Sequence, residues 1–259
     1  MGALPDILVP LTERPKLSAL CLDFDGTLSG IVEDPATARP LPGVPDLLAR
    51  LAGRMGTVAV ISGRPASFLQ SVLGSPPEVR LFGLYGLERS GPGDTVVMAP
   101  DAAPWAEVIA AVVTRARATA PAGVHIEPKG LTVTVHWRAA PERESWVAAF
   151  TAEQVEQQGL VAQPARSSIE LRPPLAVDKG TVVRALAEGM RAVAAFGDDL
   201  GDLPAFAALD QLAAEGVAVA KVAVVDGESP PEVAARADLV VDGAVGAVAL
   251  LDEVAQALG

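Results

Sequence analysis

Several kinds of residue are scarce in this 259-residue chain, and each scarcity excludes certain classes of protein. A single cysteine, Cys21, excludes an intramolecular disulfide framework and is typical of a reducing compartment. Aromatic residues make up only 4% of the sequence, so alanine, valine and leucine must build the core. No window holds about 18 uninterrupted apolar residues, and the N-terminal sequence has no basic region followed by an apolar stretch. We therefore expect a cytoplasmic protein without a membrane span or signal peptide.

Positive charge is scarce as well. Lys and Arg total 20 and Asp and Glu total 32, which leaves a formal net charge of -12. Such a chain lacks the basic surface that binds a nucleic-acid backbone, so we expect no nucleic-acid partner. An acidic protein that acts on an anionic substrate needs locally concentrated cations or a bound metal ion.

Short apolar runs alternate with helical patterns over most of the chain. Four runs predict buried parallel strands that end at polar or glycine-rich residues, namely residues 17–22, 57–61, 192–196 and 217–225. Apolar residues at helical spacing predict helices at residues 44–55, 181–190, 203–209 and 245–258. This alternation predicts a doubly wound, Rossmann-like α/β domain with a parallel sheet.

The middle of the chain has a different order, which is helix, two strands, helix, two strands. The predicted helices lie at residues 105–118 and 142–157, and the strands at residues 124–127, 131–137, 161–164 and 169–171. We therefore predict an α+β insertion at residues 90–172 in a core formed by residues 1–89 and 173–259. Gly- and Pro-rich sequences at residues 90–93 and 172–174 mark the two linkers.

Polar motifs follow the predicted strands, where ligands of open α/β sheets bind. After the first strand, one of Asp23 and Asp25 can attack phosphorus while the other protonates the leaving oxygen. A divalent cation would offset the repulsion between these carboxylates and a phosphate, and Gly26 and Thr27 would form a turn that offers donors to phosphate. The alternative is an ordinary Asp- and Gly-containing turn after a buried strand.

The second and third motifs can bind phosphate. We predict that Ser62, Gly63 and Arg64 bind phosphate, since Ser62 offers a hydroxyl and Gly63 a flexible backbone at a helix N-terminus. Alternatively, Ser62 only caps that helix. Lys179 lies at a predicted helix start, where the helix dipole favours anions. An ammonium group that neutralises Asp23 and a phosphate explains this lysine, and a solvated surface lysine is the alternative.

The fourth motif places three carboxylates after the buried strand at residues 192–196. Asp198, Asp199 and Asp202 repel one another unless a cation or hydrogen-bond donors satisfy them. Oxygen ligands of this kind suit a hard divalent metal ion. A solvated acidic loop is the alternative.

In this order, the sequences DFDGT, ISGR, DKG and GDDxxD resemble the four motifs of the haloacid dehalogenase superfamily. The resemblance implies that Asp23 is the nucleophile and Asp25 the general acid/base, and that Ser62 and Lys179 bind the phosphoryl group. It further implies an Mg²⁺ site formed by Asp23, the Asp25 carbonyl and Asp198, with support from Asp199 and Asp202. The insertion matches the larger α/β cap class of that superfamily.

Within that superfamily the chain is most similar to the trehalose-6-phosphate phosphatase family. The similarity lies in the sequences GLYGLE at 83–88, VHWR at 135–138 and ELRP at 170–173, and in two residues of the insertion, Glu127 and Lys129. It implies sugar-phosphate binding by four residues of the cap, which are Glu127, Lys129, His136 and Glu170. Alternatively, Lys129 is a hairpin-tip lysine, His136 a packing residue and Glu170 an outward strand position.

The resemblance implies Mg²⁺-dependent hydrolysis of trehalose 6-phosphate through a phospho-aspartyl intermediate. The chain departs from the family pattern at Gly201 and Leu203, which replace a threonine and an acid. Three alternatives stay open: a phosphatase of sucrose phosphate or a glucosyl-glycerate phosphate, a phosphomutase-like phosphotransferase, and a catalytically silent regulatory module.

Overall fold

The computed structural model describes residues 4–32, 35–74, 78–91, 95–165, 167–227 and 229–259. The chain forms two compact units, a smaller one of Met98–Ala176 and a larger one of Met1–Val97 and Val177–Gly259. Pro92 and Gly93 of the first predicted linker lie outside the described residues. No helix within the described ranges has the length and apolar character needed to cross a bilayer.

The described residues form twelve strands and nine α-helices. The strands are β1 (Ser18–Leu22), β2 (Thr57–Ile61), β3 (Val79–Gly83), β4 (Glu88–Ser90), β5 (Val96–Met98), β6 (His125–Pro128), β7 (Val133–His136), β8 (Val161–Ala165), β9 (Ser168–Arg172), β10 (Ala192–Gly197), β11 (Ala218–Val225) and β12 (Leu239–Asp242). The helices are α1 (Val9–Glu13), α2 (Val44–Arg54), α3 (Ala66–Leu73), α4 (Trp105–Thr119), α5 (Glu144–Gln158), α6 (Lys179–Leu186), α7 (Leu203–Ala214), α8 (Pro231–Arg236) and α9 (Gly243–Ala257).

The larger unit contains an eight-stranded sheet in the order β12-β11-β10-β1-β2-β3-β4-β5. The six strands from β12 to β3 run parallel, and β4 pairs antiparallel with β3. All five residues of β1 are buried, as expected of a central parallel strand. Because the chain leaves β1 toward β2 on one side and returns as β10 on the other, the topological switch point lies at β1.

Helices cover both faces of this sheet. Leu20 and Leu22 of β1 belong to one core cluster with α2 and α9, whereas Ala19 and Cys21 belong to a second with α6, α7 and α8. Successive strand side chains point to opposite faces, so one strand supplies both cores. The predicted doubly wound α/β fold is confirmed.

The smaller unit has a four-stranded antiparallel sheet in the order β6-β7-β9-β8. Val133 and Leu171 of this sheet pack against Ile109 and Val112 of α4 and Phe150 of α5. The two helices therefore cover one face, and this unit is the predicted combination of two helices and four strands.

The structure differs from the sequence-based prediction at the margins of the units. The smaller unit begins at Met98 rather than at the predicted residue 90, because β4 and β5 extend the edge of the large sheet. It ends at Ala176 rather than at residue 172. The apolar pattern does not predict β4, β5 or β12, since these strands have only three or four residues and are partly exposed.

Candidate active site

The carboxyl ends of β1 and β10 carry a buried ionic cluster. The Lys179 ammonium lies 2.7 Å from Asp23 Oδ1 and 2.6 Å from Asp202 Oδ1. All three side chains are almost fully buried. Ligand oxygens of Asp23, Asp198 and Asp202 lie within 4.8 Å of one another. A buried lysine thus bridges two aspartates that are 179 residues apart in the chain.

Helix α6 positions Lys179, which is its first residue. The Asp178 side chain accepts a hydrogen bond from the Thr181 amide at 2.8 Å, and the Thr181 hydroxyl oxygen accepts one from the Asp178 amide at 3.0 Å. This capping box fixes the start of the helix. Gly180 permits the close approach of the main chain at the start of α7, since a Cβ at residue 180 would lie 2.4 Å from the Pro204 carbonyl oxygen. The sequence Asp-Lys-Gly-Thr therefore caps the helix and also places the Lys179 ammonium group in the cluster.

Asp202 organises the loop after β10. Its Oδ2 accepts from the amides of Asp198 at 3.1 Å and Asp199 at 3.3 Å, while its Oδ1 accepts from Lys179. A Cβ on Gly197 would lie 2.1 Å from the Asp202 carboxyl carbon, so glycine is required where this side chain folds back over the strand end. Both oxygens of Asp202 are thus occupied by protein donors.

Asp198 is held differently. Its Oδ1 is buried and has no hydrogen-bond partner among the described residues. Gly26 makes room for the Asp198 carboxylate, because a Cβ at residue 26 would lie 2.1 Å from Asp198 Oδ2. Gly26 also has a φ of +73°, which favours glycine. The DFDGT turn and the loop after β10 therefore depend on each other sterically.

The cluster brings three carboxyl groups and one ammonium group together. Burial raises the pKa of Asp23 well above its ordinary value, although Lys179 opposes the shift. Burial alone would lower the pKa of Lys179, but Asp202 and Asp23 together raise it, so the ammonium stays charged. Burial, with Asp202 and Asp199, raises the pKa of Asp198 to about 8. A hard divalent cation fits this site, because oxygen donors are crowded together and one buried carboxylate oxygen has no partner.

Asp25, the predicted acid/base, faces Arg64. The guanidinium donates to both carboxylate oxygens, from Nε at 2.7 Å and from Nη2 at 2.8 Å. The same guanidinium donates to the Pro35 carbonyl and stacks 4.9 Å from the centre of the Phe68 ring. A bidentate pair of this kind fixes the direction of the carboxylate. The structure thus places the predicted phosphate ligand Arg64 against the predicted acid/base.

The remaining residues predicted for the core site lie close to these groups in sequence. The buried Ser62 hydroxyl accepts from the Arg64 amide at 3.1 Å. A Cβ on Gly63 would lie 2.7 Å from the Tyr85 hydroxyl, so the Tyr85 side chain covers this glycine. The Thr27 hydroxyl is fully buried without a hydrogen-bond partner among the described residues. Asp199 accepts from the Gly201 amide at 2.8 Å and is not part of the carboxylate cluster.

The four residues predicted in the insertion also come together. Glu127 pairs across the sheet with Thr134, and Thr134 pairs with Glu170. Because these positions alternate with the helix-facing residues of the same strands, they lie on the other face of the sheet. His136 Nε2 lies 2.9 Å from Glu127 Oε2. Lys129 Nζ lies 3.6 Å from Glu170 Oε1 and 3.8 Å from Glu127 Oε2.

Two threonines complete this polar cluster, and the sequence analysis did not single them out. Thr132 donates to Glu170 Oε1 at 2.6 Å, and the Thr134 hydroxyl is buried without a hydrogen-bond partner among the described residues. Threonine is common in β-strands, so only the hydrogen bond of Thr132 to Glu170 and the register of Thr134 with Glu127 and Glu170 distinguish these two. The cluster offers a buried hydroxyl, two carboxylates and an ammonium group to a polar ligand.

The model of a known family, described as trehalose-phosphatase, matches residues 21–240. A trehalose-phosphate phosphatase from Mycobacterium avium is 35% identical over 235 residues, which are 85% of this chain and 59% of that protein. The chain therefore spans less than two thirds of that relative's length.

Solved structures share the fold. The C-terminal domain of the trehalose-6-phosphate phosphatase of C. albicans has a TM-score of 0.78 at 23% identity, and covers 100% of this chain and 99% of that one. A haloacid dehalogenase-like hydrolase from Bacteroides thetaiotaomicron has a TM-score of 0.61 at 16% identity, and the match covers 90% of this chain and 98% of that one. Because the family model covers most of the chain, including every motif at the strand ends, this chain belongs to the trehalose-phosphatase family.

Proposed function

We propose that this chain hydrolyses trehalose 6-phosphate to trehalose and phosphate, through a phospho-aspartyl intermediate on Asp23. The observation that carries the proposal is the buried Lys179 ammonium 2.7 Å from Asp23, at the switch point of the sheet. An ammonium there stabilises the Asp23 carboxylate and the phosphate that it attacks, which would otherwise repel each other. Family membership supports the choice of sugar. We also place the reaction in the cytoplasm, since the lone Cys21 suits a reducing compartment.

The proposed reaction has two displacements. An oxygen of Asp23 attacks phosphorus, the bond from phosphorus to the sugar oxygen breaks, and Asp25 gives its proton to that oxygen. Asp25 then takes a proton from water, whose oxygen attacks the same phosphorus and releases phosphate and Asp23. Arg64 donates one hydrogen bond to each oxygen of Asp25, which fixes the direction of the carboxylate. Each of these oxygens keeps a second lone pair for the exchanged proton.

We propose Mg²⁺ as the cofactor, held by the carboxylates of Asp23 and Asp198 and by the main-chain carbonyl of Asp25. The unpartnered Oδ1 of Asp198 supports this choice. Asp202, whose two oxygens already accept hydrogen bonds from protein donors, positions the site. When bound, Mg²⁺ offsets the negative charge of the phosphoryl group and polarises its oxygens.

We propose that the polar cluster of the insertion binds the sugar. Glu127 and Glu170 are acceptors for sugar hydroxyls, and Lys129 is a donor between them. His136 fixes the direction of Glu127 through their 2.9 Å contact. A disaccharide phosphate has many hydroxyls, which this concentration of acceptors suits.

The substrate proposal is tested by phosphate release from a panel of sugar phosphates in Mg²⁺. We expect kcat/KM for trehalose 6-phosphate to exceed that for the other compounds by roughly 10-fold or more, because correctly placed polar groups reject ligands that leave them unpaired. Comparable turnover of sucrose phosphate or a glucosyl-glycerate phosphate would overturn the choice of sugar. Transfer of labelled phosphoryl to a sugar hydroxyl instead of water would indicate a phosphotransferase.

Replacing the nucleophile tests the intermediate. We expect Asp23→Asn to lower kcat by roughly 10³-fold or more, since an amide oxygen is a poor nucleophile. Asp46→Asn is the matched control, because it removes the same charge at an exposed position of α2. Phosphate release measured for both variants decides the matter. If Asp23→Asn retains the activity of Asp46→Asn, the role of Asp23 is wrong.

The metal proposal is tested through Gly26. A methyl group at residue 26 must displace the Asp198 carboxylate, so we expect Gly26→Ala to weaken Mg²⁺ binding by about 10-fold or more. Titration calorimetry with Mg²⁺ and the Mg²⁺ dependence of phosphate release measure this loss. Gly30→Ala is the control, since nothing lies within 4 Å of a Cβ there. Equal Mg²⁺ affinities in the two folded variants would contradict the assignment of Asp198.

The sugar site is tested at Glu170. We expect Glu170→Gln to raise KM for trehalose 6-phosphate by about 10-fold, because a hydrogen bond to a charged acceptor is replaced by a weaker one. Hydrolysis of a small aryl phosphate, which has no sugar hydroxyls, should not change. Glu153→Gln on the exposed face of α5 controls for the loss of charge. An equal change for both substrates would show that Glu170 does not select the sugar.

A further inference from the structure

The GLYGLE sequence at residues 83–88 has no role in the reaction described above, yet it packs on the loop that carries Ser62, Gly63 and Arg64. Leu84 and Tyr85 have φ values of +50° and +59°, a region that residues with a side chain rarely adopt. The turn is held in this conformation by its contacts with the neighbouring loop.

Main-chain hydrogen bonds join the two loops. The Tyr85 amide donates to the Ser62 carbonyl at 2.9 Å, and the Leu84 amide donates to the Arg64 carbonyl at 2.9 Å. A Cβ on Gly83 would lie 2.2 Å from the Ala66 nitrogen, so the backbones are in direct contact. The Ser62–Arg64 loop is therefore bound at two of its three carbonyl groups.

Glu88 adds a third attachment, on the other side of Arg64. Its buried carboxylate accepts from the Ala66 amide at 2.9 Å. Ala66 is the first residue of α3, and Pro65 before it makes no side-chain capping bond. Glu88 thus acts as the cap of α3 from a distant part of the chain, and its charge suits the positive end of the helix dipole.

We infer that Glu88 is a positioning residue of the phosphatase, which fixes Arg64 and through it the carboxylate of Asp25. The main chain is held at the Arg64 carbonyl by the Leu84 amide and two residues later, at the Ala66 amide, by Glu88. The Arg64 guanidinium in turn donates to both oxygens of Asp25. Loss of the Glu88 attachment frees the start of α3 and lets the Asp25 carboxylate leave its position. The inference rests on the proposed function, since Asp25 is the acid/base of that reaction.

The test compares four variants of the whole chain. We expect Glu88→Ala and the shorter Glu88→Asp to lower kcat by roughly 10- to 100-fold, because small displacements of a reacting group are costly. Glu88→Gln keeps an acceptor oxygen at the same reach and should restore most of kcat. Asp238→Ala removes a bond of the same kind, from the Lys221 amide at 2.8 Å, and should leave kcat unchanged.

A double-mutant cycle separates positioning from a general loss of stability. In an Arg64→Ala background, Glu88→Ala should produce no further loss of kcat, because the connection to Asp25 is already broken. A wild-type kcat in Glu88→Asp, or equal losses in both backgrounds, would overturn the inference. If Glu88→Ala does not fold, the comparison of Glu88→Asp with Glu88→Gln makes the same test.

Two further measurements keep this test apart from the substrate proposal. Using a small aryl phosphate in parallel with trehalose 6-phosphate retains the kcat readout even if the choice of sugar fails. Hydrogen exchange measured by mass spectrometry needs no substrate, and amides of residues 62–68 should exchange faster in Glu88→Ala and Glu88→Asp than in Glu88→Gln. Unchanged exchange there would refute the attachment, whereas absence of phosphate release by the wild type would refute only the function.

Discussion

The active-site end of the large sheet depends on one buried ammonium group. Lys179 contacts Asp23 and Asp202, and a third carboxylate, Asp198, lies in the same cluster. Buried carboxylates that repel one another are stable only when cations or donors compensate for the lost hydration. A single lysine compensates for only part of this charge. The imbalance that makes the cluster costly for the fold is also what makes it suitable for a divalent cation and a phosphate.

Steric fit between loops then determines where each carboxylate lies. Gly26 leaves space for Asp198, and Gly197 leaves space for Asp202, so two glycines bring the ends of β1 and β10 together. The same principle operates on the other side of β1, where Gly63 lies under Tyr85. The site is thus built from loops that contact one another directly. A methyl group at Gly26 or Gly197 would collide with a carboxylate of the cluster, and one at Gly63 would collide with Tyr85.

Local sequence patterns predict the buried strands of the large sheet, but not the short strands near its edges. Buried strands such as β1 and β2 are continuous apolar runs, because parallel strands are covered on both faces. The edge strands β5 and β12, and β4 beside β5, are too short and too exposed to produce such a run. Their existence depends on neighbours in space, which is why the insertion begins at Met98 and not at residue 90.

The sequence by itself determined the family assignment, since four motifs at strand ends in one order carry the resemblance that the family match confirms. It also indicated that Lys179 neutralises Asp23. Only the tertiary structure decided that Arg64 faces Asp25 and that Asp202 uses both oxygens for protein donors. It likewise revealed the contact of Glu88 with the start of α3. Partners far apart in sequence leave no local periodicity, because packing alone brings them together.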